Sequence, residues 1–272
     1  PEGSWVFHRL AQDGPQTDLA TRLVDLAPLD DEVLARDRQR LVQIKRERAE
    51  DAARYFRENA GQWDRLRSLH VDDAVVEKAI LDLAPEAIER HLDLGTGTGR
   101  ILELLAGRAE HAQGVDLSRE MLAVARANLD SAGLSHCQVR QADIAQLPFP
   151  AETFDLVTLH QVLHYLDDPV RAIEAATAML RPGGMLLIVD FAPHDEETLR
   201  RDHQHRRLGF SDTQTESWLK SAGLSPRAIR HLSGDPLTVT LWSAVKAPAA
   251  ANTDTAPVLT KPAVGRTLEN TV

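Results

Sequence analysis

The segment His91–Arg100, with the sequence HLDLGTGTGR, decides the fold. It predicts a short apolar strand, a turn with glycines at alternate positions, and a helix that begins near Gly99. Glycine lets the backbone turn sharply and lets a ligand approach the main chain closely. The unpaired N–H groups at the start of the helix favour polar or anionic groups of a nucleotide-like ligand. The segment therefore predicts either a nucleotide-type site or a tight strand-to-helix connection without a ligand.

A carboxylate in the next strand favours the ligand site. Asp116 ends the apolar run that follows the first helix, and an acid about 20 residues beyond such a turn is placed to bind ribose hydroxyls. The dinucleotide fingerprint requires a small residue three places after Gly97, where this chain has Arg100. The Gly-x-Gly-x-Gly spacing after Asp93 fits an adenosylmethionine site better than an NAD site.

Strand and helix patterns alternate from His91 onward, which is typical of a parallel sheet with crossover helices. We expect strands at 91–95, 111–116, 137–142, 153–160 and 184–191, and helices at 71–83, 99–108, 118–132, 168–180 and 213–222. Two later runs, 227–232 and 237–245, predict a closing antiparallel pair. The expected fold class is α/β: a Rossmann-like, seven-stranded, mostly parallel sheet with helices on both faces and an N-terminal helical extension.

Four motifs in this order resemble the class I S-adenosylmethionine-dependent methyltransferases, and most closely the subgroup with the ubiquinone and menaquinone C-methyltransferases (methyltransferase type 11). They are Asp93–Gly99, Asp116, Gln141–Ile144 and Leu180–Gly184, and the resemblance covers roughly residues 52–245. The resemblance implies an enzyme of class EC 2.1.1.- that transfers a methyl group from S-adenosyl-L-methionine to a small-molecule acceptor, leaving S-adenosyl-L-homocysteine. Because the sulfonium already carries an activated methyl group, such catalysis is mostly positioning and exclusion of water.

The resemblance also implies the cofactor contacts. Asp93 would lie beside the methionine part, Asp116 would bind the ribose diol, Asp143 would take the adenine amine, and Ile144 would cover the ring. A surface aspartate after a strand is common, so Asp143 depends on motif order more than on chemistry. The expected cofactor-binding residues are Tyr55, Trp63, Asp93, Gly95, Thr96, Gly97, Gly99, Asp116, Leu117, Met121, Asp143, Ile144, His160 and Gln161.

Tyr55, Phe56 and Trp63 cluster in a chain that is only 4% aromatic. In the resembled family a segment just before the catalytic domain folds over the cofactor as a lid. Packing of an ordinary helix explains the same cluster, and the sequence leaves both interpretations open.

Several histidines follow the strands whose ends should form the site. His160 is expected at the active-site mouth, while His164, four residues later, is expected there or packed beneath a helix. His194, in the loop after the fifth strand, is the candidate general base, although loop histidines are often merely exposed. No third ligand accompanies His160 and His164, so we expect no metal site. The basic segment 200–207 predicts either a wall of the acceptor pocket or a solvated helix.

Composition limits the function classes. The chain has 272 residues, 43% of them hydrophobic, with a net charge of −10 and one cysteine, Cys137. A single cysteine excludes an internal disulfide and a multi-cysteine metal site. The negative charge disfavours general nucleic-acid binding. No run approaches the roughly 18 apolar residues of a membrane span, and no signal segment opens the chain, so a cytoplasmic location is the expectation.

The expected organisation is an N-terminal arm (1–50), a methyltransferase domain (51–246) and a disordered tail (247–272) rich in Ala, Pro and Thr. Residues 2–10 predict a strand and 17–27 a leucine-bearing helix, similar to the end of an ArsR-type winged helix. The alternative function is therefore an adenosylmethionine- or adenosylhomocysteine-sensing module of a transcription regulator, with DNA binding only in a longer winged-helix form. The helix predicted over 31–59 is interpreted as a solvated connector, and the N-terminal helices are a candidate homodimer contact.

Overall fold

The computed structural model describes residues 31–63 and 72–248, together with Leu19 and Arg22 as isolated helical positions. The strands are β1 (Ile88–Leu94), β2 (Ala109–Asp116), β3 (Cys137–Gln141), β4 (Phe154–His160), β5 (Leu180–Phe191), β6 (Leu224–Ser233) and β7 (Thr238–Lys246). The helices are α1 (Glu32–Asn59), α2 (Asp73–Leu83), α3 (Arg100–Leu105), α4 (Arg119–Ser131), α5 (Pro169–Met179), α6 (Glu197–Asp202) and α7 (Asp212–Ser221). Short 3₁₀ helices occupy Ala60–Gln62 and Leu163–Tyr165.

One seven-stranded sheet with the order β3-β2-β1-β4-β5-β7-β6 organises the domain. Strands β1 to β5 are parallel, whereas β7 is antiparallel to both β5 and β6. The predicted α/β class with its closing antiparallel pair is confirmed. Because β1 pairs with β2 on one side and β4 on the other, the chain reverses its direction across the sheet there. Open α/β sheets bind ligands at the carboxyl ends of the strands beside such a switch point.

Helices cover both faces of the sheet. Alternate residues of a strand point to opposite faces, and in β5 Leu187 belongs to one apolar cluster and Ile188 to the other. The first cluster includes Ile80 of α2 and Ile101 of α3, and the second includes Ile173 of α5 and Trp218 of α7. A sheet buried on both faces explains why β4 and β5 read as nearly continuous apolar runs.

Side-chain caps fix several helix starts. Asp31 accepts hydrogen bonds from Val33 N and Leu34 N at 2.8 and 3.0 Å, so the helix predicted over 31–59 is confirmed as α1. Asp168 caps α5 by accepting from Arg171 N at 3.1 Å. Aspartate is a favoured N-cap because its carboxylate satisfies the free N–H groups of the first turn.

Some predicted boundaries were wrong. β1 begins at Ile88 rather than 91, because Ile88 is buried and pairs with Ala109. The predicted helix 99–108 is shorter, since the chain leaves α3 at Leu105 to begin β2. β5 begins at Leu180, directly after α5, because Phe154 at the start of β4 pairs with Leu180.

The N-terminal and C-terminal predictions lie outside the described residues. These are the strand 2–10, all but two positions of the helix 17–27, and the tail from 249 onward. The domain boundaries at 50 and 246 therefore stay predictions. Within the part of the chain that is described, no helix combines the length and apolarity that a membrane crossing needs.

Candidate active site

A cavity of about 490 Å³ opens at the carboxyl ends of the parallel strands. This volume lies within the range of roughly 300–1,000 Å³ that small-molecule and cofactor sites occupy. The strands β1, β2, β3 and β4 each contribute residues from their ends, and α1 closes one side. The lining includes Phe56, Trp63, Asp93, Gly95, Thr96, Gly97, Asp116, Leu117, Met121, Ile144, His160, Gln161, Val162 and Tyr165.

The glycine turn brings its backbone close to the cavity. Gly95, Gly97 and Gly99 have φ values of +72°, +52° and +86°, in the left-handed region that side chains disfavour. A Cβ at Gly95 would also lie 2.4 Å from Cγ2 of Val162. The residue before α3 must be able to adopt the αL conformation, and Gly99, which does not itself line the cavity, provides it.

Asp116 is held rigidly at the cavity wall by backbone donors. Its Oδ2 accepts a hydrogen bond from Gly97 N at 2.9 Å, and its Oδ1 accepts one from Ser118 N at 2.8 Å. Burial raises the pKa of the Asp116 carboxyl, an effect that these N–H donors oppose because they favour the ionised form. Leu117 N is a third backbone donor to this carboxylate, and because a carboxylate has about four acceptor positions, Asp116 keeps capacity for an external hydroxyl.

Thr96 presents a polar group that the described residues do not satisfy. Its side chain is 6% exposed and lines the cavity, and its Oγ1 has no hydrogen-bond partner within 31–63 and 72–248. A Cβ at Gly114 would lie 2.6 Å from this oxygen, so the glycine in β2 makes room for it. The hydroxyl oxygen is therefore enclosed against β2, and Thr96 contributes its other atoms to the cavity lining.

Arg100, where a dinucleotide site would have a small residue, has a structural partner. Its Nε and Nη2 donate to Oε1 and Oε2 of Glu77 at 2.6 and 2.8 Å, and its Nη1 donates to Glu103 at 3.1 Å. The Glu77 carboxylate raises the pKa of Arg100. The guanidinium thus ties α2 to the first turn of α3 at the edge of the cavity, a role the sequence pattern did not indicate.

Three aromatic rings, those of Phe56, Trp63 and Tyr165, form one wall of the cavity, and Trp63 lies against the glycine turn. The ring centroids of Phe56 and Tyr165 are 4.9 Å apart, and those of Phe56 and Trp63 are 5.3 Å apart, both edge to face. Trp63 Nε1 would be 3.7 Å from a Cβ at Gly97. Tyr55 does not line the cavity; its hydroxyl makes a 2.8 Å hydrogen bond with His203 Nδ1 behind this wall.

The histidines separate into two groups. His160 lines the cavity beside Gln161, as the sequence predicted. His164 is 1% exposed, and its Nδ1 lies 2.7 Å from Oδ1 of Asp190, outside the lining. His194 also lies outside the lining, and its Nδ1 accepts from Glu196 N at 3.2 Å. The structure therefore does not bring the candidate base His194 to the cavity.

Asp143 likewise does not reach the cavity lining. It is exposed, and its Oδ1 accepts a hydrogen bond from Ala145 N at 2.8 Å, whereas its neighbour Ile144 lines the cavity. No group of three or more His, Cys, Asp or Glu side chains that could hold a metal ion occurs among the described residues.

Sequence reasoning missed several residues of the site. Tyr165 reaches the cavity through the 3₁₀ turn after β4, and burial raises its pKa well above the ordinary value. Arg206 was not missed in the same way: it lines the cavity and forms an ion pair with Asp167, in keeping with one of the two interpretations of the basic segment 200–207. The aromatic residue in the LHYL sequence after β4 was the available signal for Tyr165.

Comparison with known proteins identifies the domain. Residues 92–188 match a family model described as a methyltransferase domain. The chain is 35% identical over 121 residues to demethylmenaquinone methyltransferase of Clavibacter sepedonicus, covering 44% of this chain and 49% of that protein. It is 38% identical over 144 residues to demethylmenaquinone methyltransferase of Thermus thermophilus, covering 51% and 64%. The matched segments therefore span about half to two thirds of these relatives.

A solved structure shows the same fold. The S-adenosylmethionine-dependent methyltransferase from Mesorhizobium loti superposes with a TM-score of 0.55 at 22% identity, covering 62% of this chain and 96% of that one. The family match falls on the strands that carry the glycine turn, Asp116 and His160, the same residues that converge on the cavity. Residues 92–188 are therefore similar to a methyltransferase domain, and the chain shares the fold of the S-adenosylmethionine-dependent methyltransferase from Mesorhizobium loti.

Proposed function

We propose that the protein transfers a methyl group from S-adenosylmethionine to a small-molecule acceptor. One observation carries the proposal: a single cavity joins the glycine turn, the rigidly held Asp116 carboxylate and an aromatic wall. S-Adenosylmethionine, the cofactor of this domain family, supplies an activated methyl group on its sulfonium. The chain's own task is to bind it, to orient the acceptor and to exclude water.

The residues present fit this cofactor. Asp116 keeps acceptor capacity for a ribose hydroxyl beside the backbone donors that hold it. Ile144 and Met121 supply apolar surface for the adenine ring, and Asp93 supplies a carboxylate for the methionine ammonium. A contact between Asp143 and the adenine amine remains a proposal. Asp143 is exposed and lies outside the cavity lining, and this position weakens the proposal.

We propose His160 as the side chain that accepts a proton when the acceptor requires one. Its support is its place in the lining, whereas His194 lies outside it. Imidazole is suited to this role because its ordinary pKa lies near neutral pH. If the acceptor loses no proton in the reaction, the role of His160 would be limited to binding the acceptor.

The acceptor we propose is a small molecule with an apolar part. Phe56, Val162, Tyr165 and Leu166 offer apolar surface in the same cavity, and Arg57 and Arg206 stand at its edge. Quinone-like and lipid-like compounds both have this character, and two of the relatives are named as demethylmenaquinone methyltransferases.

Incubation with methyl-labelled S-adenosylmethionine and fractionated small-molecule extracts tests the proposal. We expect label in a small-molecule product, and we expect excess adenosylhomocysteine to suppress it by competing for the same cavity. Label that stays with the cofactor in every fraction, under conditions where the cofactor binds, would contradict methyl transfer. Mass spectrometry of the labelled product identifies the acceptor.

The sensing alternative has no support among the described residues. Its winged-helix resemblance falls on residues 2–27, which lie outside them apart from Leu19 and Arg22.

Homodimer formation through α1 remains a proposal. It is supported by the apolar side chains that this helix exposes, Val33, Leu41, Val42 and Ile44.

A further inference from the structure

A chain of three buried polar side chains leads from the sheet interior to the cavity. His91 Nε2 lies 2.8 Å from Oγ1 of Thr158, and Thr158 Oγ1 lies 2.6 Å from Oδ1 of Asp93. The strand register explains the alignment: Asp93 of β1 is directly opposite Thr158 of β4, and His91 is two residues before Asp93 on the same face. The relative exposures of His91, Thr158 and Asp93 are 0%, 2% and 1%.

The donors and acceptors in this chain have only one arrangement when Asp93 is ionised. A carboxylate accepts only, so the single hydroxyl proton of Thr158 must point to Asp93. Thr158 then accepts from His91, whose Nε2 must carry the ring proton. The other ring nitrogen, Nδ1, then carries no proton. It is buried and has no hydrogen-bond partner within the described residues, which agrees with an unprotonated nitrogen. Burial lowers the pKa of His91 to about 3, so the ring stays neutral at physiological pH.

Protonation of Asp93 would reverse the chain. A protonated carboxyl donates to Thr158, whose own proton must then turn either toward Leu92 O, 3.5 Å away, or toward His91 Nε2, and the second choice moves the ring proton to Nδ1, which has no acceptor there. The first choice gives Thr158 a long and weak hydrogen bond, and the second leaves a buried N–H group unsatisfied, so both are less favourable than the 2.6 Å bond to the ionised carboxylate. The architecture behind the cavity therefore favours the charged form of Asp93.

We propose that Thr158, backed by His91, is a positioning residue that holds Asp93 ionised and oriented toward the ammonium group of the bound cofactor. The inference depends on the proposed cofactor site, since it assigns a role within that site. It adds two residues that neither line the cavity nor belong to the glycine turn. Thr158 would act through Asp93, as a hydroxyl that favours one protonation state of its neighbour.

Binding of adenosylhomocysteine, measured by calorimetry on the full chain, tests the proposal without requiring a known acceptor. We expect Thr158→Val to raise the Kd about tenfold or more, the effect of losing one charge-assisted hydrogen bond. Thr158→Ser keeps the hydroxyl and should restore wild-type affinity. Thr177→Val is the matched control, because Thr177 is also buried but donates to Ile173 O within α5, away from the cavity.

The pH dependence of Kd separates positioning from a loss of packing. In Thr158→Val, binding should weaken on acidification at a higher pH than in the wild type, because the ionised carboxylate has lost a donor. The difference between the two profiles isolates the Asp93 chain, because the other charged or titratable side chains of the lining are the same in both proteins: Arg57, Arg100, Asp116, Arg119, Glu120, His160, Tyr165, Asp167 and Arg206. Nitrogen NMR of His91 should show the Nε2–H tautomer in the wild type.

Three results would overturn the inference. They are a Thr158→Val variant with wild-type Kd across the pH range, a Ser variant as weak as the Val variant, and a His91 ring protonated on Nδ1. In each case the wild type still binds adenosylhomocysteine, so the cofactor site stands while this role for Thr158 fails. A wild type that does not bind adenosylhomocysteine would contradict both.

Discussion

His160 and His194 are both imidazoles near strand ends, but only His160 reaches the cavity. We expect His160→Ala to lower the rate of methyl transfer about 10²-fold if the acceptor loses a proton, the usual contribution of a positioned base. His194→Ala, the matched control, should stay within about 2-fold, since its ring contacts Phe191 and its Nδ1 accepts from Glu196 N. Single-turnover rates of methyl transfer would measure this, and the opposite ranking would restore His194 as the base.

Gly95 and Gly133 provide a second comparison at the scale of one residue. Their φ values are nearly equal, +72° and +70°, but a Cβ at Gly133 has nothing within 4 Å. Alanine at either position should cost about 1–2 kcal/mol of unfolding free energy from the left-handed backbone. Only Gly95→Ala should also raise the Kd for adenosylhomocysteine, about tenfold, because its Cβ would displace Val162 from the cavity wall. Denaturant unfolding and calorimetry check the two effects, and equal Kd values would show that the turn tolerates displacement.

At the scale of elements, the C-terminal end of α1 is the part whose role the sequence left open. Phe56 contacts Trp63 and Tyr165, so truncation at this position loosens the helix from the cavity. If α1 is a lid, Phe56→Ala should raise the Kd for adenosylhomocysteine about tenfold and speed its release. Val42→Ala on the same helix, where Val42 is 66% exposed, should change neither. A loss of stability with unchanged Kd would instead mean ordinary helix packing.

At the scale of the whole molecule, the sequence predicted the α/β class and the strands that carry the glycine turn and Asp116, because both follow from local periodicity and spacing. It did not predict the position of the segment between β5 and α7. That segment depends on contacts distant in sequence: Arg206 N donates to His164 O at 2.9 Å, and His194 N donates to Leu208 O at 3.1 Å. These contacts bring Arg206 to the cavity and leave His194 outside it. A local sequence pattern contains no information on such long-range contacts.

The central claim is that the cavity binds the cofactor with Asp116 on the ribose. Calorimetric titration of the full chain with adenosylhomocysteine tests it most directly, with Asp116→Ala as the variant and Asp130→Ala, an exposed aspartate at the end of α4, as the control. The account predicts that the wild type and Asp130→Ala bind alike and that Asp116→Ala binds more weakly by about 1–3 kcal/mol, the cost of leaving buried polar groups unpaired. A wild type that shows no binding, or an Asp116→Ala variant with unchanged affinity, would contradict it.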